Sequence, residues 1–145
     1  YHKAANFTVT HRPELMVDKQ TVKAACDDAQ TLLVHSLPLP MFKGEVSPYQ
    51  RAGRIPGSKN LYCETLITPD ANTYLDKAAM AEKFAPLAPM AKDRVITYCG
   101  GGIAASANAL ALTLLGHENV AVYDGSLTEW TADPTMPMET DAGIN

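Results

Sequence analysis

Cysteine is scarce in this chain: Cys26, Cys63 and Cys99 are the only three among 145 residues. They match no metal-ligand spacing, and an odd number cannot all pair with one another. A chain of this length buries enough apolar surface to fold without cross-links. Free thiols are therefore expected, in the cytoplasm, with the periplasm left open because the natural N-terminus is not in view. Long apolar runs are also missing. None approaches the roughly 20 residues that cross a bilayer, and no apolar segment comes after Tyr1-His2-Lys3-Ala4-Ala5-Asn6 as it would in a signal peptide. Neither end carries a basic run and the net charge is −4, so neither nucleic acid nor a membrane is expected as a partner. The missing initiator Met reads as a processed chain or a piece of a longer protein. What remains, 46% hydrophobic and 19% charged residues, is the composition of one soluble globular domain over residues 1–145.

Residues 1–15 show no period and read as an extended arm or linker. Asp18 is placed to cap a helix over 19–27, with Val22, Ala25 and Cys26 inward. Thr31-Leu32-Leu33-Val34 reads as a buried strand, and Pro38 and Pro40 are expected to stop any element after it. Ile55-Pro56-Gly57-Ser58 is a turn, and residues 60–63 a short strand. A helix is expected over 75–85, with Leu75, Ala78, Ala79 and Phe84 near one face. Arg94–Cys99 then forms a strand, Gly100-Gly101-Gly102 a tight loop, residues 104–115 a helix ended by Gly116, and Val120–Tyr123 a strand. Strand, helix and strand make a βαβ unit with parallel strands. Ser126-Leu127-Thr128-Glu129 has the form of a capping box opening a helix that carries Trp130. The tail after Pro134 reads as surface. The alternation predicts an α/β fold, a mainly parallel central sheet with helices on both faces.

In such sheets reactive groups gather at the carboxyl ends of the strands, where Cys99 stands. Glycines let backbone N–H groups turn inward where a Cβ would block them. The loop and the start of the next helix therefore offer a ring of donors that favours thiolate over thiol. The plainer alternative is a small buried residue ending a strand, with the glycines serving only the turn. Cys26 and Cys63 read as structural. Gly100, Gly102 and Ala105 also fit a dinucleotide-binding G-x-G-x-x-A, with Asp124 after the next strand. Only 21 residues come after Asp124, too few for the usual remaining half-sheet. A cysteine phosphatase is excluded because Ala105 stands where a C-x5-R loop needs its arginine.

Three segments then resemble one known family. Ala52-Gly53-Arg54-Ile55-Pro56-Gly57-Ser58 is similar to the G-H-I-P-G-A element of rhodanese-like domains. Val95 to Ala104 resembles their active-site strand and six-residue loop, and Tyr123 to Trp130 their closing strand–turn–helix. Asn6-Phe7-Thr8-Val9 is similar to the start of the second, cysteine-bearing domain of tandem thiosulfate and mercaptopyruvate sulfurtransferases. The resemblance implies a rhodanese-like fold and a two-step sulfur transfer. Cys99 takes the outer sulfur of a small donor as a persulfide, and a thiol or cyanide removes it. It implies no cofactor beyond that covalent intermediate, no metal, and an upstream rhodanese domain as a possible partner. The amides of Gly100, Gly101, Gly102, Ile103, Ala104 and Ala105 would hold the transferred sulfur.

The departures matter as much. Where the family often has Asp-x-Arg, this chain has His35 and Leu37. Met41 stands where thiosulfate-using members carry an arginine, and residues 99–106 hold no charge. Removing two or three cations from around a dianion costs several kcal/mol, which tells against thiosulfate. Two hydroxyls of the C-G-S-G-V-T loop of mercaptopyruvate enzymes have become Gly101 and Ala104, so that donor loses a proton relay. His35 is a candidate to titrate near neutrality and pair with the thiolate, or else simply a packed residue. Arg54, and beside it Arg51, could supply positive charge to an incoming anion. The alternative to an enzyme is a silent rhodanese-like module for protein binding or redox sensing.

Overall fold

The computed structural model describes residues 3–144; Tyr1, His2 and Asn145, the ends of the domain and arm expected above, lie outside the described residues. Residues 3–12 are exposed and without regular structure. A 3-10 turn over Pro13–Leu15 leads into β1 (Met16–Val17). Asp18 caps α1 (Lys19–Ala25) by accepting the Thr21 N–H at 2.8 Å. β2 (Thr31–His35) comes next, then α2 (Leu39–Lys43). Contrary to expectation, Pro38 and Pro40 open a helix rather than stopping one. A proline in the first turn forgoes only an N–H that has no acceptor there.

β3 (Lys59–Asn60) is shorter than expected, and Cys63–Leu66 is a 3-10 turn instead of the end of a strand. α3 (Lys77–Phe84) is capped by Asp76 and buries Met80 and Phe84, while Ala78 faces solvent. β4 (Arg94–Tyr98), α4 (Ile103–Leu114) and β5 (Val120–Tyr123) form the expected unit, with the Gly116 N–H closing the helix onto Thr113 O. α5 (Ser126–Ala132) carries Trp130. A small antiparallel pair, β6 (Glu139–Thr140) and β7 (Gly143–Ile144), ends the fold.

The main sheet has the order β1-β5-β4-β2-β3, and every pair in it is parallel. Its residues alternate between two cores, as the two-residue strand period requires. Leu33, Ile96, Tyr98, Ala121 and Tyr123 pack under α1 and α5 with Trp130. Leu32, Val34, Val95 and Val120 pack under α3 and α4 with Phe84 and Leu112. The tail is not surface: Met136 and Met138 are buried in the first core, and the Arg54 and Glu139 backbones pair through two 2.9 Å bonds. The loops after β2, β3, β4 and β5 all leave the same edge, which is where Cys99 and its glycines lie.

Candidate active site

Cys99 comes directly after β4 and its side chain is buried. The Gly102 N–H donates to its Sγ at 3.1 Å. Gly102 has φ +86°, and a Cβ there would stand 2.5 Å from Asp124 Oδ1. A Cβ on Gly100 would overlap the Tyr49 hydroxyl. Both positions therefore require glycine, the first for its backbone conformation and its neighbour, the second because a phenol lies against it.

The start of α5 pins the other side of the loop. The Leu127 N–H donates to Cys99 O and the Thr128 N–H to Gly100 O, each at 3.0 Å. Thr128 Oγ1 adds a 2.6 Å bond to Gly100 O. Ser126 Oγ accepts the Cys99 N–H at 3.1 Å and donates to Tyr123 O at 2.6 Å. The expected capping box is thus absent: Ser126 turns back to the cysteine, and Glu129 binds the Tyr123 hydroxyl.

With these carbonyls tied to α5, the amides are left over. Among the described residues, the N–H groups of Gly100, Gly101, Ile103, Ala104 and Ala105 have no acceptor within the chain. Three of them belong to the first turn of α4, whose end carries partial positive charge. Thr97 Oγ1 donates to Ala105 O at 2.9 Å and holds that turn to β4. Of the donors expected from the glycines, the Gly102 N–H reaches the sulfur, and the other free amides belong to the same loop and helix turn. Free backbone donors of this kind suit an anion.

His35 is a packed residue. Its ring is fully buried, edge-on to Phe42 and Tyr98, each with centroids 5.4 Å apart. Nδ1 accepts from Asn60 Nδ2 at 3.2 Å and from the Leu37 N–H at 3.4 Å, while Nε2 has no partner. Burial pushes its pKa down to about 4. Of the two alternatives the sequence leaves open for His35, the packed residue fits, and the histidine titrating near neutrality does not: desolvation keeps this ring neutral there.

The two arginines are engaged in structure. Arg54 pairs with Glu139 at 2.7 Å and Asp141 at 2.8 Å and stacks over Phe42, 4.3 Å from its centroid. Arg51 donates to the carbonyls of Trp130, Thr131, Asp133 and Met136, closing the end of α5. Both guanidinium groups are thus held by carboxylates or main-chain carbonyls of the chain itself. His117 also has a place, its ring meeting Lys92 O at 3.1 Å and accepting the Asn119 N–H.

Sequence reasoning missed Tyr49, Ser126, Thr128 and Cys63. Burial raises the pKa of Tyr49, and negative charge on Cys99 adds to it. Burial likewise raises that of Cys63, with Glu64 and then Cys99 pushing the same way. Tyr49 lies against Gly100, the residue after Cys99. A proline-preceded aromatic in a loop is the one signal for Tyr49; nothing local marks the others. Burial and the neighbouring Asp27 carry Cys26 up to about 11, in keeping with a structural thiol.

The chain matches the rhodanese-like domain model over residues 41–133. It is 32% identical over 128 residues to a probable 3-mercaptopyruvate sulfurtransferase of Pseudomonas aeruginosa, covering 87% of this chain and 45% of that protein. A putative thiosulfate sulfurtransferase, SseB, of Mycobacterium tuberculosis is 32% identical over 136 residues, covering 92% and 47%. The chain therefore spans about half the length of these relatives. Among solved structures, the anaerobic ergothioneine biosynthesis enzyme from Chlorobium limicola with trimethyl histidine superposes with a TM-score of 0.81 and 31% identity, over 89% of this chain and 32% of that one. A variant of EanB with ergothioneine covalently linked to a cysteine persulfide superposes equally well, at 30% identity over 89% and 32%. With its parallel sheet and its cysteine loop, the chain belongs to the rhodanese-like family, among homologues that are thiosulfate and 3-mercaptopyruvate sulfurtransferases.

Proposed function

We propose that this chain is a sulfurtransferase that carries sulfane sulfur as a persulfide on Cys99, from a small donor to a thiol or cyanide acceptor. The supporting observation is the set of five amides without acceptors in residues 100–105, directly after a cysteine whose sulfur already receives the Gly102 N–H. In the first step Cys99 thiolate attacks the outer sulfur of a donor R–S–SH. The donor's S–S bond breaks, R–S⁻ leaves, and a bond from Cys99 Sγ to the transferred sulfur forms. In the second step the acceptor attacks that sulfur and Cys99 leaves as thiolate. The free amides hold the terminal sulfur while it is anionic, between the two steps. The cycle involves only the cysteine, the donor and the acceptor. An upstream rhodanese domain is the partner this reading suggests.

The test is to incubate the protein with a small persulfide and follow Cys99 by peptide mass spectrometry. One added sulfur on Cys99, removed by cyanide and absent in Cys99→Ser, is the expected result. A Cys99 that alkylates readily yet never takes up sulfur points instead to the silent module for protein binding or redox sensing.

A further inference from the structure

The direction of two of the free amides is set by the carbonyls beside them. In a trans peptide the N–H points opposite to the C=O of the same bond. Cys99 O is drawn to the start of α5 by the Leu127 N–H, and Gly100 O by the Thr128 N–H and Oγ1. The N–H groups of Gly100 and Gly101 share those two peptide bonds, so they face away from α5. The sulfur lies on that same side. Thr97 Oγ1 reaches Ala105 O on α4, while Tyr98 packs in the core beneath α1 and α5. Strand alternation returns Cys99 to the α4 side, where the Gly102 N–H, just before α4, meets its Sγ.

Two side chains hold Gly100 in this attitude. Thr128 is an exposed residue, and its hydroxyl donates to Gly100 O at 2.6 Å. Tyr49 comes from the loop between α2 and β3. Its ring packs against the first core, and its hydroxyl fills the place that a Cβ on Gly100 would take. Tyr49 and Thr128 line one cavity of about 300 Å³ with Pro48, Gln50 and Thr131. Gly100, of the most pliable residue type, is thus tied by its carbonyl and backed at its Cα. We propose that Tyr49 and Thr128 are positioning residues for sulfur transfer, holding Gly100 so that its own N–H and that of Gly101 stay turned toward the sulfur anion on Cys99. The inference rests on the reading of Cys99 as the sulfur carrier, and it names the side chains that preset the donors. Both act through Gly100, and donors fixed beforehand need no rearrangement when the anion forms.

The pH midpoint of Cys99 alkylation by iodoacetamide reports how well the site holds a sulfur anion. Iodide leaves as the sulfur–carbon bond forms, and peptide mass spectrometry follows the product. The midpoint is read twice, on the bare cysteine and on Cys99 loaded with sulfur from cysteamine persulfide. Thr128→Val keeps the shape of the side chain and loses the hydroxyl, and it should raise both midpoints by about half a pH unit, or about threefold in anion population. Thr128→Ser keeps the hydroxyl and should restore the original values. Tyr49→Leu should move the midpoints in the same direction as Thr128→Val, and it serves as the second variant should that one fail to fold. An unmoved midpoint in one folded variant removes that residue from the role. Midpoints unmoved in both, or moved equally by Thr128→Ser, would overturn the inference, even where the urea midpoint falls. If no persulfide loads Cys99 while the bare-cysteine midpoint moves as described, the sulfurtransferase reading fails and the positioning stands.

Discussion

Ser126 holds φ +48° and makes two buried hydrogen bonds, one of them to the backbone of Cys99. The left-handed backbone costs a non-glycine residue roughly 1 kcal/mol, and here the hydroxyl offsets it by satisfying a buried amide and a buried carbonyl. Ser126→Ala keeps the strain and loses both bonds, so it should lower stability by about 1–3 kcal/mol in urea titration and slow sulfur loading. Ser126→Gly removes the strain as well and should be the milder of the two. Equal losses in both would show that the left-handed backbone costs nothing here, and no loss in either would show that the hydroxyl is dispensable. Gly102→Ala meets the positive φ and Asp124 together and should abolish sulfur loading while the chain still folds, a pairing that circular dichroism and mass spectrometry resolve. His35 sets a pH dependence. Its folded pKa of about 4 lies below the ordinary 6.5, so between these values the unfolded chain binds the additional proton. Its contribution is present above pH 6.5 and is lost as pH falls toward 4, up to about 3 kcal/mol. The urea midpoint should fall over that window, and in His35→Asn it should fall less.

The central unit of β4, loop, α4 and β5 is legible in the sequence to within about one residue at its ends. There the signals are local: a continuous apolar strand, a glycine run, an alanine- and leucine-rich helix and a closing glycine. β1 is not legible, because two residues become a strand only when Met16 and Val17 find Val122 and Tyr123 near the far end of the chain. The tail misleads for the same reason. Met136 and Met138 are apolar but aperiodic, and the bridge from Arg54 to Glu139 that carries them into the core is long-range. Removing residues 135–144 should therefore cost several kcal/mol, since two large side chains leave a core and Arg54 loses both carboxylates. The thermal midpoint measures it, and an unchanged value would return the tail to the surface. Arg51, expected as a charge for substrate, proves to be the closing group of α5. Arg51→Lys should destabilise nearly as much as Arg51→Ala, because an ammonium cannot reach four carbonyls as the guanidinium fork does. If the lysine variant retained full stability, the fork would be unnecessary.

Every strand of the main sheet except its short edges contributes side chains to both cores, so the two halves cannot separate without breaking β2, β4 and β5. Trp130, the sole tryptophan, is fully buried on one face. Its fluorescence and the far-ultraviolet circular dichroism, dominated by helices on both faces, should thus change in a single coincident transition in urea. Two separated transitions would show that the cores unfold apart. No helix among the described residues is long and apolar enough to cross a membrane. At this scale the sequence speaks through its order of strands and helices, which is why the layered α/β arrangement is readable, whereas the strand order is a property of pairings that no single segment contains. The same sheet delivers Gly102 to the sulfur of Cys99, and that contact has a spectroscopic use. Glycine amide nitrogens resonate apart from most others, and a proton donated to sulfur shifts when that sulfur gains or loses a neighbour. In isotopically labelled protein the Gly102 cross-peak would report, in real time and without sampling, whether Cys99 bears an added sulfur.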